Sequence, residues 1–166
     1  MKLPTRIGVV TNIDPEHLDY YGSVEAMYDA YRRFFNGIKP GGAAVAGIDH
    51  PVVREFAGEA KLPTGARLLR YGVAEDADIR LEAVRSNGGS VHLDAALGNA
   101  VEGGPRVFDD MTLAVPGHYN ALNAMAAVAS PPRRASPTIS SARLWPPRDP
   151  SWWRLSCPLH RCNRFK

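Results

Sequence analysis

The sequence predicts an α/β fold in which a parallel sheet with helices on its faces is joined to a small, mostly antiparallel sheet. Three observations carry that reading. Short apolar runs alternate with amphipathic segments from Arg6 to Phe56, the strand and helix order of a parallel sheet. Past Asp78, apolar residues recur at every second position on both sides of Asn87-Gly88-Gly89, a hairpin signal. After Ser130 the chain turns to Pro, Arg, Ser and Trp with no sustained period, so a disordered tail is expected over 131–166.

The first element is a short buried strand over Arg6 to Val10. From Ser23, a good N-cap, the residues Val24, Met27, Tyr28, Tyr31, Phe34 and Phe35 recur at three- and four-residue spacing. They predict an amphipathic helix that closes near Asn36-Gly37 and turns its aromatic stripe to the core. Lys39-Pro40-Gly41-Gly42 is expected to be a turn, and Ala43 to Ile48 a parallel strand covered on both faces. Pro51 suits the first position of a helix carrying Val52, Val53 and Phe56. Arg67 to Tyr71 is a further strand after the breakers Pro63 and Gly65. Ile79 to Arg85 and Val91 to Ala95 form the hairpin, Arg106 to Val115 a third strand, and Asn120 to Ala129 an Ala-rich helix.

Composition divides the chain in two. The whole carries a net charge of +3, but residues 1–130 hold 12 Lys/Arg against 16 Asp/Glu, and residues 131–166 hold 8 against 1. Both cysteines, Cys157 and Cys162, and all three tryptophans lie in the second part. No disulfide framework can therefore hold the first part together, which suits a reducing cytoplasm. No apolar run approaches the length of a membrane span, and no partner membrane is expected. The alternative reading, a non-catalytic binding protein whose basic tail is an arm for nucleic acid or anionic lipid with Trp for stacking, is weighed and set aside, and neither partner is expected. Cys157 and Cys162 with His160 between them lack a second ligand pair for a metal.

The stretch with the most chemistry is Thr11-Asn12-Ile13-Asp14-Pro15-Glu16-His17-Leu18-Asp19, just past the first strand. Asn, Asp and Pro in such a place are ordinary turn residues. The carboxyl ends of strands in open α/β sheets are also where ligands sit. Asn-Ile-x-x-Glu-His-Leu-Asp resembles the Asn-Ile-x-x-Asp-His-Leu/Met-Asp signature of the central, ATP-binding domain of the Mur ligases, with Glu16 in place of the commoner Asp. Far along the chain, Val115 to Ala127 is similar to that family's Pro-Gly-x-His-Asn-x-x-Asn-x-x-Ala-Ala segment, with His118 and Tyr119 where a basic residue and His are usual. Asp49 to Arg54 and Tyr71 to Asp78 resemble the branch of the family that adds L-alanine.

The resemblance runs from about Ile7 to Ser130 and implies a partial Mur ligase central domain at 1–130. It implies an enzyme that moves the terminal phosphate of ATP onto the carboxylate of UDP-N-acetylmuramate, giving an acyl phosphate that the amine of L-alanine attacks. ATP and Mg²⁺ are the implied cofactors. His17 falls on the histidine that ligates Mg²⁺ in the family, and Glu16 and Asp19 are candidates to orient it, hold a metal-bound water or meet substrate. Asn120 and Asn123 fall on asparagines near adenine, although a helix cap and an exposed helical position are their plainer readings. His50 is expected to be a loop histidine and His92 to sit on a solvated strand face.

No residue of this chain is expected to be catalytic in itself. Of Lys2, Lys39, Lys61 and Lys166, none precedes Ser or Thr, so there is no phosphate-cradling loop. In the family that loop and the UDP-binding domain lie upstream, and a further domain lies downstream, so this chain is expected to be inactive alone. The tail, whose composition breaks where the resemblance ends, is expected to be an out-of-frame translation of GC-rich coding sequence.

Overall fold

The computed structural model describes residues 4–102, 104–130 and the backbone of Leu155 and Ser156. The chain divides into two compact units, Met1–Arg70 and Tyr71–Lys166.

The first unit is built on strands β1 (Thr5–Val10) and β2 (Ile38–Gly47), which pair in parallel with Ile7 opposite Ala43 and Val10 opposite Ala46. Between them run a short helix α1 (Leu18–Tyr21) and the amphipathic α2 (Val24–Asn36); α3 (Pro51–Glu59) follows β2. α2 begins where its cap dictates, because the Ser23 hydroxyl accepts the Ala26 amide at 3.1 Å, and it ends at Gly37. Met27 and Phe35 are the fully buried members of its stripe, and Val53, Phe56 and Ala57 are those of α3. Ala43 to Ile48 is buried throughout, as a strand covered on both faces requires.

Two expectations need correction here. Lys39 to Gly42 is not a turn between helix and strand but lies inside β2. Thr5 pairs with Ile38 and Ile7 with Ala43, so one residue of β1 faces four of β2, and the surplus is absorbed as a bulge carrying Pro40 and Gly41 (φ 67°). Turn-forming residues and bulge-forming residues are the same types, which is why composition misassigned them. β1 is also less buried than its apolar run suggests: Gly8 and Val10 are covered, but Val9 is 40% exposed.

β3 (Arg67–Gly72) runs across the boundary, and its Tyr71 and Gly72 pair in parallel with Ile79 and Arg80 of the second unit. There β4 (Ile79–Asn87) and β5 (Ser90–Leu97) form the expected hairpin about Gly88-Gly89, with Asn87 opposite Ser90. β6 (Arg106–Leu113) pairs antiparallel with β5 and stops two residues short of the expected end. Val91, Leu93, Ala95 and Leu97 of β5 are buried in strict alternation. α4 (His118–Ala129) packs on β4 and β5 through Ala121, Ala124, Met125, Ala126 and Ala129, and starts two residues before Asn120. Within the tail, β7 (Leu155–Ser156) pairs antiparallel with β6, and the rest of the expected disordered segment lies outside the described residues.

The solvated face of this sheet carries a polar cluster where two bulges meet. Glu82 is the extra residue between β4 and β5, and β6 sets Asp109 and Asp110 against Asp94 alone. Asp110 adopts φ 56°, and its amide donates to Asp94 Oδ1 at 2.8 Å. Arg85 grips Asp94 with two N–H groups at 2.6 and 2.8 Å, and His92 Nδ1 lies 2.9 Å from Asp110 Oδ1. His92 thus sits between buried Val91 and Leu93 on the outer face, as expected.

The Arg85 guanidinium and the Asp110 amide hold the Asp94 carboxyl at about 2, below its ordinary 3.8, and Asp94 in turn raises the pKa of Arg85. A carboxyl depressed on folding contributes stability that is whole above about pH 4 and is lost as pH falls toward 2. Asp94→Asn is therefore expected to cost roughly 1 kcal/mol at pH 7, solvent around Arg85 damping the pair, and almost nothing at pH 2. Thermal midpoints of both chains across that range check this; parallel curves would refute it.

Candidate functional site

The candidate site lies where β1 and β2 end side by side. Parallel strands joined through a helix bring their following loops together, and that crevice is where ligands bind in open α/β sheets. The loop after β1 is Thr11 to His17, and that after β2 is Ile48 to His50. Ile13, 1% exposed, pins the first loop into the core. Around it the polar side chains are linked. Thr11 Oγ1 donates to Asn12 Oδ1 at 2.9 Å, Asn12 Nδ2 donates to Asp14 Oδ2 at 2.6 Å, and Asp14 Oδ1 lies 3.4 Å from His50 Nε2. The Asn12 amide and the His50 imidazole hold the Asp14 carboxyl below the usual carboxylate range.

His17 ends this loop as the N-cap of α1, with φ 55° and ψ 36°, a left-handed conformation uncommon for a residue with a Cβ. Its carbonyl accepts from the amides of Tyr20 and Tyr21 at 2.9 and 3.1 Å. Its side chain is exposed, as are those of Glu16 and Asp19. A cavity of about 570 Å³ opens beside the loop, walled by Val9, Thr11, Asn12, Tyr20, Tyr31 and Phe34. Burial pushes the Tyr31 hydroxyl up, and Tyr21, Glu16 and Asp14 add to the shift by their charge.

Among the described residues, no three His, Cys, Asp or Glu side chains converge so as to hold a metal ion. The fit to Mg²⁺ is therefore that of a partial site. This ion keeps several waters and is commonly bound through one or two carboxylates with phosphate oxygens completing its shell, an imidazole being an uncommon ligand for it. The single exposed imidazole of His17 would be one such ligand, the rest of the shell coming from water and phosphate.

Asn120 and Asn123 belong to the second unit, on the first two turns of α4. Asn120 Nδ2 donates to the Pro116 carbonyl at 2.6 Å, closing the loop that leads into the helix, whose N-cap Gly117 has φ 103°. Asn123 is exposed.

Sequence reasoning left Asp14 and His50 without roles. Their signal was available: two consecutive parallel strands ending in a carboxylate and an imidazole place those groups side by side, although 36 residues separate them.

A model of the Mur ligase middle domain matches residues 1–130. The UDP-N-acetylmuramate–L-alanine ligase of Methylorubrum extorquens strain PA1 is 42% identical over 129 residues, which are 78% of this chain and 27% of that protein. The enzyme of the same name from Methylobacterium radiotolerans is 43% identical over the same shares. This chain thus spans about a quarter of the length of these relatives. Among solved structures, MurF from Acinetobacter baumannii superposes with a TM-score of 0.58 at 21% identity, over 76% of this chain and 25% of that one. MurF ligase from Thermotoga maritima, in complex with ADP, gives 0.57 at 20% identity, over 75% and 26%. At those identities the likeness is one of fold.

Proposed function

The chain belongs to the Mur ligase family through its middle domain, and from that premise we propose that residues 1–130 are part of the ATP-handling domain of a ligase joining UDP-N-acetylmuramate to L-alanine. The observation that carries this is the coincidence of the site with the family match: the loop bearing His17 lies at the carboxyl end of β1, beside that of β2. Residues 131–166 are read as lying outside that domain. Among the described residues no helix is long and apolar enough to cross a membrane. The basic-arm reading falls on residues outside those described and is not carried further.

Bound ATP and Mg²⁺ would supply the phosphoryl group and the charge that offsets it during transfer. His17 would offer a ring nitrogen to the metal, and Glu16 and Asp19, its neighbours in sequence, would hold metal-bound water. The Asn120 amide nitrogen donates to Pro116, so its Oδ1 is the atom that would accept from the adenine amine, and Asn123 offers a second amide one turn along. No Gly-x4-Gly-Lys-Ser/Thr segment occurs in the sequence, so the phosphates lack their usual cradle of backbone N–H groups.

Two measurements test the proposal. Addition of ADP with Mg²⁺ to the ¹⁵N-labelled chain is expected to shift amides of residues 11–19 and of Asn120 to Asn123; shifts confined to other residues would refute the site. In a coupled assay with ATP, UDP-N-acetylmuramate and L-alanine, no alanine-dependent ADP release is expected. Turnover would overturn the expectation that ligation does not proceed without that cradle.

A further inference from the structure

We propose that Asp14 and His50 form a clasp that fixes the loop carrying His17, so that both act as positioning residues for the metal-facing imidazole. The proposal rests on the reading of His17 given above but concerns two residues that the reading does not use.

The two sides of the clasp differ in rigidity. His50 is built into the scaffold: it is the N-cap of α3, its amide donates to the Gly47 carbonyl at 3.3 Å, and its carbonyl accepts from Arg54 at 3.0 Å. Arg54 Nε in turn donates to the Ile48 carbonyl at 2.9 Å, closing the turn from the other side. The ring is four-fifths buried, and its Nδ1 is buried with no hydrogen-bond partner. A proton on Nδ1 would be a donor without an acceptor, which is costly in the interior. The proton therefore sits on Nε2, the nitrogen that faces Asp14 Oδ1.

Asp14 is the other half and belongs to the loop. Its second oxygen takes the Asn12 amide, and its carbonyl accepts from Glu16 N at 2.8 Å, so one residue ties the strand end to the turn before His17. His17 itself sits in left-handed backbone, a conformation that persists only where the surroundings over-determine it. The side chains that follow it, Leu18 at 39% exposed and Tyr20 at 82%, supply little packing to do this. The anchors are Ile13 in the core and the Asp14 carboxylate on His50. Groups that orient a metal-binding histidine through its loop act on affinity without touching the metal.

The test uses the full chain and the variants Asp14→Asn, His50→Phe and His50→Gln, with His17→Ala as control. Amide hydrogen exchange of residues 11–17 is expected to quicken about tenfold in Asp14→Asn and His50→Phe, while residues 43–46 of β2 remain as protected as before. His50→Gln, which keeps a donor near the position of Nε2, is expected to restore most of the protection, whereas Phe fills the space without donating. Mn²⁺ alone, titrated by electron paramagnetic resonance, is expected to bind about tenfold more weakly to the first two variants and not measurably to His17→Ala. Unchanged exchange in both Asp14→Asn and His50→Phe would overturn the clasp. Quickened exchange in a chain that binds no Mn²⁺ would uphold the clasp as the fixture of the loop and overturn instead the metal reading of His17.

Discussion

Phe56→Ala is expected to destabilise the first unit by about 3–5 kcal/mol, the larger part of what a domain of this size has to lose. Phe56 is 2% exposed and lies at the seam of α2 and α3, its ring 5.4 Å from that of Tyr28 in an edge-to-face arrangement. The Arg32 guanidinium lies over the same ring, 4.3 Å from its centroid. That one cation also pairs with Asp29 at 3.5 Å, Glu55 at 3.7 Å and Glu59 at 3.3 Å, so the ring seats the network joining the two helices. Truncation would remove the apolar area, the aromatic pair worth about 1 kcal/mol, and the platform of Arg32 together. Arg32→Ala, which loses only half-exposed ion pairs and the ring contact, is expected to cost about 1 kcal/mol. Denaturant unfolding of the two variants separates these terms. A Phe56→Ala cost no greater than that of Arg32→Ala would mean that surface charge and not the buried ring holds α3 against α2.

How much of this was legible beforehand depended on whether a residue's neighbours in space were also its neighbours in sequence. α2 could be read from Ser23 to Gly37 because cap, stripe and stop are all local. The hairpin was legible in the same way, since alternation and the Gly88-Gly89 turn specify their own register. The bulge in β2 was not, because Pro40 and Gly41 carry no mark that distinguishes a turn from an interruption of pairing with a strand 30 residues earlier. Val9 was read as buried because an apolar run reports what a residue tolerates; in this chain no described strand pairs with β1 on its other side.

The site followed the same division. The loop from Thr11 to Asp19 stood out by its chemistry, and the structure places it at the strand end expected of it. The pairing of Asp14 with His50 joins two loops, each ordinary when read alone. The plainer reading of Asn120 as a helix cap is corrected: Gly117 holds that position, and Asn120, inside the first turn of α4, donates its amide to the Pro116 carbonyl.

Gly42→Ala is the second substitution with a large expected effect, about 3 kcal/mol, and it connects the bulge to the site. A Cβ on Gly42 would collide with the Arg6 carbonyl oxygen of β1, and would lie 2.8 Å from both the Lys39 carbonyl oxygen and Ile38 Cγ2. Two of these three obstacles are backbone and cannot swing aside, so the strands must part or slip. Gly41 makes the useful contrast: no atom lies within 4 Å of a Cβ placed there, and only its φ of 67° opposes a side chain, for a cost of about 1 kcal/mol. The consequence of the larger change reaches beyond stability. The bulge sets Val9 opposite Val45 and Val10 opposite Ala46, and thereby brings the loop of Asp14 level with that of His50. Since a shift of one residue along a strand carries every side chain to the other face, Gly42→Ala is expected to quicken amide exchange across residues 11–17 as well as to lower the denaturation midpoint. Gly41→Ala is expected to lower the midpoint slightly and leave that exchange unaltered. Equal effects of the two on both measurements would show that the close approach of Gly42 to β1 does not set the register, and the alignment of the two loops would then have to come from the packing of α2 and α3 on β2.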